Sequence, residues 1–168
     1  MSCPIEIERK FVIEKPDIAR LSEHSGYSVS AIEQTYLASE PAVTRRVRAR
    51  NYGDKTVYTE TKKVRIDGMS AFEDEREISE SEYRELLSEI MPGTRTLSKT
   101  RHTLEYSGRT LEIDVYPDWE RTCILEVELD SRSAKVELPY FIRVVAEVTG
   151  DKRYSNASMS CSFPEELI

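Results

Sequence analysis

Histidine and cysteine are scarce in this sequence, and the scarcity limits its chemistry. The only histidines are His24 and His102, and the only cysteines are Cys3, Cys123 and Cys161. An odd number of thiols with no short spacing argues against a disulfide framework and against a Cys-based zinc site. Two isolated imidazoles exclude a His-rich metal centre. Any metal must therefore be held by oxygen. A basic excess is also missing: 24 Lys and Arg stand against 31 Asp and Glu, a net charge of −7. Nucleic-acid binders usually show the opposite balance. No apolar run approaches the ~18 residues of a membrane span, and the N-terminus lacks a secretion signal's basic-then-apolar pattern. The expectation is a soluble cytoplasmic protein with no nucleic acid and no membrane as partner.

Charge, by contrast, is abundant. Charged residues make up 33 % of the chain, above the ~25 % of an average globular protein. The hydrophobic fraction of 39 % still supports a real core, and 168 residues fit one domain, 1–168. No repeat, low-complexity tract or linker interrupts it.

Most of the chain alternates with period two, which reads as strands. These fall at residues 5–13, 30–38, 43–51, about 55–65, 71–78, 96–106, 110–116 and 122–129. Tyr52-Gly53-Asp54 and Ser107-Gly108 punctuate two hairpins. A short helix is expected over 15–24, where Pro16 near the start costs little. A second begins at Ser79, whose spacing to Glu82 is a capping box before Tyr83, Leu86, Leu87 and Ile90, and it ends at Pro92-Gly93. Residues 131–136 could form a third. Eight strands with few helices predict an α+β, mainly antiparallel fold. It would be an eight-stranded closed β-barrel with flanking helices.

The alternation also sorts charge by strand. Glu6, Glu8 and Lys10 share a face, as do Arg48 and Arg50. Glu75 pairs with Glu77, Lys99 with Arg101, Glu112 with Asp114, and Glu126 with Glu128. A single strand of this kind is an ordinary solvated face. The set is different, because the polar positions are almost all fully charged and the signs are segregated. A closed barrel with a charged lumen accounts for both facts. Unpaired buried charge costs several kcal/mol per ion, so such a lumen needs a ligand. Carboxylate pairs suit Mg²⁺ or Mn²⁺, and arginine and lysine pairs suit phosphate oxygens.

Glu6-Ile7-Glu8-Arg9-Lys10 resembles the E-x-E-x-K signature of the CYTH superfamily, the triphosphate tunnel metalloenzymes. Gln34-Thr35-Tyr36-Leu37, Arg48-Ala49-Arg50, Glu75-Arg76-Glu77, Lys99-Thr100-Arg101, Glu112-Ile113-Asp114 and Glu126-Val127-Glu128 resemble its later motifs in order. The stretch from Glu147-Val148-Thr149 to Asn156 resembles the closing one. The resemblance covers nearly the whole chain.

It implies a triphosphate tunnel in which Glu6, Glu8, Glu126 and Glu128 hold metal. Lys10, Arg48, Arg50, Lys99, Arg101 and Lys152 would grip a triphosphate-containing small molecule. A further lysine on the fourth strand is ambiguous. Lys62 is favoured and Lys63 is the alternative, since opposite faces of a strand cannot both line a tunnel. One of Glu75, Glu77, Glu112 and Asp114 would orient water. Tyr36 and Tyr154 read as structural and Trp119 as surface or packing. The implied activity is divalent-metal-dependent hydrolysis of inorganic triphosphate. Thiamine triphosphate or a nucleoside triphosphate as substrate, adenylate cyclisation and non-enzymatic polyphosphate binding are alternatives. The few residues before Glu6 weigh against the cyclase. A homodimer is an open option.

Overall fold

The computed structural model describes residues 5–168; Cys3 lies outside the described residues. Nine strands form one antiparallel sheet: β1 (Ile5–Glu14), β2 (Ser28–Leu37), β3 (Val43–Asn51), β4 (Thr56–Arg65), β5 (Ser70–Ile78), β6 (Leu97–Tyr106), β7 (Arg109–Val115), β8 (Thr122–Glu128) and β9 (Val144–Glu147). The eight strands read from alternation are all present. They close into a ring in the order β1-β5-β4-β3-β2-β6-β7-β8, with β8 pairing back onto β1. Only three residue pairs join β1 to β5: Ile5 with Phe72, Glu6 with Ala71 and Ile7 with Ser70.

Beyond that point β1 exchanges its neighbour. The Glu8 N–H donates to the Met69 carbonyl at 3.0 Å, and the Val148 N–H donates to the Lys10 carbonyl at 2.8 Å. From Phe11 onward β1 pairs with β9. The turns before β5 and after β9 meet over this seam. A Cβ on Gly150 would come within 3.0 Å of the Gly68 Cα, and Gly150 has φ +75°. Glycine suits that position because other residues are strained at positive φ.

Turn chemistry sets the hairpins. Ser107 and Gly108 both have positive φ (51° and 73°), the backbone that matches a two-residue hairpin to strand twist. At the β3–β4 turn, Gly53 has φ +99° and its N–H donates to Asn51 Oδ1 at 2.7 Å.

Helices cover parts of the ring's apolar exterior. In α1 (Ile18–Ser22), Asp17 caps the Ala19 N–H. Its Leu21 packs with Phe11, Ile13, Leu104, Ile113 and Leu125 from β1, β6, β7 and β8. In α2 (Glu80–Leu86), Ser79 accepts from the Glu82 N–H as the capping-box spacing predicts. Its Tyr83 packs on Leu37, Val47 and Ile78. A 3₁₀ turn (Leu87–Glu89) continues it.

Three segments differ from expectation. Residues 131–136 are a turn running into irregular chain, not a helix: the Ala134 N–H donates to the Ser131 carbonyl at 3.2 Å, and among the described residues no further backbone bond propagates that turn. Strand β9 is four residues long, too short for alternation to reveal. The weakly patterned end contains a 3₁₀ turn (Lys152–Tyr154) and α3 (Asn156–Met159). Among the described residues no helix is long and apolar enough to cross a membrane.

Candidate active site

The inward faces of the ring enclose a cavity of about 740 Å³. Strand parity decides which residues reach it. Strand β3 contributes Arg46, Arg48 and Arg50, β4 contributes Thr61 and Lys63, and β6 contributes Arg101. Strand β1 contributes Glu6, Glu8 and Lys10, β5 contributes Glu73 and Glu75, β7 contributes Glu112, and β8 contributes Glu126 and Glu128. Strands β3 and β8 are separated by half the ring in either direction. A guanidinium wall therefore faces a carboxylate wall.

Two arginines of the basic wall have spare donors. Nε of Arg46 and Nε of Arg48 are buried donors with no acceptor among the described residues. Burial, with Arg46 and Arg101 nearby, lowers the Arg48 guanidinium to about 10. Its Nη2 reaches Gln34 Oε1 only at 3.3 Å. Clustered cations with spare N–H groups are built for an anion with many oxygens.

On the acidic wall the carboxylates fall into two kinds. Glu6 accepts from Lys63 Nζ at 2.6 Å, and Glu126 lies 3.4 Å from Lys10 Nζ and 3.8 Å from Arg101 Nη2. Burial works against charge on Glu126, but Lys10 and Arg101 hold it down at about 2. Glu8 and Glu128 face each other in register and form no ion pair among the described residues. Burial, then Glu126, pushes the Glu8 carboxyl up to about 7. Among the described residues no three Asp, Glu, His or Cys side chains converge closely enough to hold one ion.

The interior beyond Lys10 and Glu126 is filled. The next inward residues, Val12 and Ile124, pack with Leu97, Tyr116, Trp119, Val148, Tyr154 and Met159. Asp114 is fully buried at this level. Arg101 grips it through Nε at 2.6 Å and Nη2 at 2.8 Å, and Lys99 Nζ donates to it at 2.6 Å. Burial opposes the Asp114 charge, yet Arg101 and Lys99 hold its carboxyl far below the carboxylate range. Arg101 Nη1 pairs with Glu112. Asp114 thus fixes the guanidinium that the cavity sees.

Of the residues singled out from the sequence, Glu6, Glu8, Lys10, Arg48, Arg50, Glu75, Arg101, Glu112, Glu126, Glu128 and Lys152 line the cavity. Four do not. Lys62 is exposed on the outer face, and Lys63, which pairs in register with Glu73, is the inward lysine. Lys99 and Asp114 lie behind the wall, because the apolar filling closes the interior at their level. Glu77 shares the face of Glu75 but is exposed beyond the cavity. Arg46 and Glu73 were missed, although each lies two residues before a recognised inward charge. Tyr36 is buried as expected but also lines the cavity. Tyr154 and Trp119 belong to the apolar filling.

No family model and no curated protein matches the chain. Solved structures do. The inorganic triphosphatase NE1496 is 28 % identical with TM-score 0.60, over 95 % of this chain and 97 % of that one. Another structure of NE1496 aligns with TM-score 0.59 at 28 % identity, over 95 % and 99 %. The putative adenylyl cyclase HpAC1 from Hippeastrum, described as having a dominant triphosphatase activity, aligns at 14 % identity with TM-score 0.53, over 74 % of this chain and 80 % of that one. The charged, ring-enclosed cavity and these neighbours agree: the chain has the CYTH, or triphosphate-tunnel, fold.

Proposed function

We propose that the chain hydrolyses inorganic triphosphate to diphosphate and phosphate with the help of Mg²⁺ or Mn²⁺. The observation that carries this reading is the pair of facing walls. Among the described residues, buried arginine Nε donors without an acceptor stand across the cavity from Glu8 and Glu128, which form no ion pair. A triphosphate and a divalent ion complement the two together, and neither does so alone. Hydrolase activity is also what NE1496 is named for.

The donor set fits a hard cation. Glu8 and Glu128 form no ion pair among the described residues, and a buried Glu8 carboxyl raised to about 7 gains from a positive ion beside it. Glu6 and Glu126 would join by releasing Lys63 and Lys10. A bound ion there would neutralise phosphate charge and acidify water.

The chain's own residues carry the remaining work. Arg46, Arg48 and Arg50 bind the phosphate chain along one wall, and Arg101, locked by Asp114, presents a fixed guanidinium from another. Preset cations of this kind stabilise charge on the transferring phosphoryl group at little reorganisation cost. Glu75 and Glu112, the two of the four candidate carboxylates that line the cavity, would orient water. Burial raises the Glu112 carboxyl, which favours a proton acceptor working nearer neutral pH.

A phosphate-release panel tests the reading. Triphosphate, ATP, thiamine triphosphate and longer inorganic polyphosphate are each incubated with Mg²⁺ and with Mn²⁺, with cyclic AMP measured in the ATP arm. The expected result is release from triphosphate well above the others, abolished by EDTA. Binding of triphosphate without phosphate release under either metal would overturn it.

A further inference from the structure

The outward face of the β4–β5 hairpin has a pattern that the cavity does not use. Its cross-strand pairs, read toward the hairpin tip, are Glu60 with Arg76, Lys62 with Asp74, and Val64 with Phe72. Each charged pair joins opposite signs, and the third joins two apolar side chains. Phe72 also pairs with Ile5 on β1. Ile5, Val64, Ile66 and Phe72 are 55 %, 40 %, 46 % and 43 % exposed, an apolar row across three strands and the hairpin turn. Helix α2 covers the other end of this hairpin, over Tyr58 and Ile78, and α1 lies over β1, β6, β7 and β8. No described element covers this row, and a contiguous exposed apolar patch is a candidate contact surface.

The charges say what contacts it. Arg76 pairs with Glu60 and Glu82 inside the chain. Lys62 and Asp74 are register partners, yet among the described residues neither forms an ion pair within the chain. A two-fold axis running between β4 and β5, parallel to both, sets each strand of one copy against the other strand of its mate. Lys62 then meets Asp74 of the other copy, and Val64 meets Phe72. The same contacts occur twice, as an isologous interface requires. A partner of different chemistry would need no such exchange symmetry. We propose that this face is the two-fold interface of a homodimer. Its centre is Val64 and Phe72, and Lys62 and Asp74 set its register.

The test uses the full chain in sedimentation velocity and light scattering across a wide concentration range. Wild type is expected to dimerise. Lys62→Asp places four carboxylates on the axis, and Asp74→Lys places four ammonium groups there. Each should weaken the dimer roughly ten-fold or more, since like charges across an interface are strongly disfavoured. The double reversal K62D/D74K restores opposite signs and should restore the dimer. Phe72→Asp should leave a monomer. All three substitutions are at exposed positions, and circular dichroism checks that each variant is folded. A wild-type chain that stays monomeric overturns the proposal. So does a dimer indifferent to both single reversals, or one that the double reversal fails to rescue.

Discussion

Glu8 stands directly opposite Glu128 on the β1–β8 ladder, and neither carboxylate has an ion-pair partner among the described residues. Like charges so placed repel, by ~0.2–1 kcal/mol for a cross-strand pair. Without metal, Glu128→Gln should therefore raise the melting temperature slightly. With Mn²⁺ the order should reverse, because wild type gains a bound ion and the variant loses a charged ligand. Calorimetric Mn²⁺ titration should show affinity reduced about ten-fold or more. Equal affinity in the two proteins would remove Glu128 from the metal site.

Arg48 carries a similar conflict. Burial and the neighbouring Arg46 and Arg101 lower its guanidinium to about 10, and its Nε has no acceptor among the described residues. Arg48→Met should make the ligand-free protein more heat-stable. It should also weaken triphosphate binding, by roughly ten-fold or more if one charge-assisted hydrogen bond is lost. Sites built for a ligand commonly trade stability for binding in this way. A variant that binds triphosphate as wild type does would show that Arg48 is not a ligand.

Asp114 has the opposite character. Its carboxylate is the one ion-pair partner of Lys99 among the described residues and the main support of Arg101. Asp114→Asn leaves two cations poorly compensated in a buried place. Breaking one partner of a buried pair costs ~3–5 kcal/mol. Urea denaturation should show a loss of that order, together with weaker triphosphate binding as Arg101 loses its fixed direction. Unchanged stability would mean that the Lys99 and Arg101 charges are compensated elsewhere.

The ring and most of its inward charges were legible because period-two alternation encodes strand faces directly. Glu6 and Glu8, or Arg48 and Arg50, announce a shared face by spacing alone. The Lys62–Lys63 ambiguity needed the register: Thr61 opposes Glu75 and Lys63 opposes Glu73, so parity along β4 selects Lys63. Arg46 and Glu73 were readable by extending the same parity two residues further. Lys99 and Asp114 were not, because nothing local reveals that Val12, Leu97, Ile124 and Trp119 fill the interior at their level. That filling draws on residues more than a hundred positions apart. The β1 edge was equally hidden, since β9 is too short to show a pattern.

The C-terminal segment offers a pH-dependent prediction away from the cavity. Glu166 accepts from the Thr122 N–H at 2.7 Å, the Thr122 hydroxyl at 2.8 Å, and the Arg121 and Glu120 N–H groups at 2.8 and 3.1 Å. Burial disfavours its charge, but the Thr122 hydroxyl and these N–H groups lower the carboxyl from 4.5 to about 2. A carboxyl depressed in the folded state stabilises above its unfolded value, and that contribution disappears as pH falls through the folded value. The window here is from 4.5 down to about 2. Glu166→Gln cannot titrate, and it replaces a charged acceptor with a neutral amide. It should melt below wild type at neutral pH, and the gap between the two should close progressively across that window. The same segment carries Pro164, whose carbonyl accepts from Trp119 Nε1 at 3.0 Å, so loosening it should also raise solvent access to the indole. Tryptophan fluorescence followed through the acid titration reads both effects, because Trp119 is the only indole in the chain. A gap between variant and wild type that stays constant from neutral pH through the whole window would show that the Glu166 charge does not stabilise the fold.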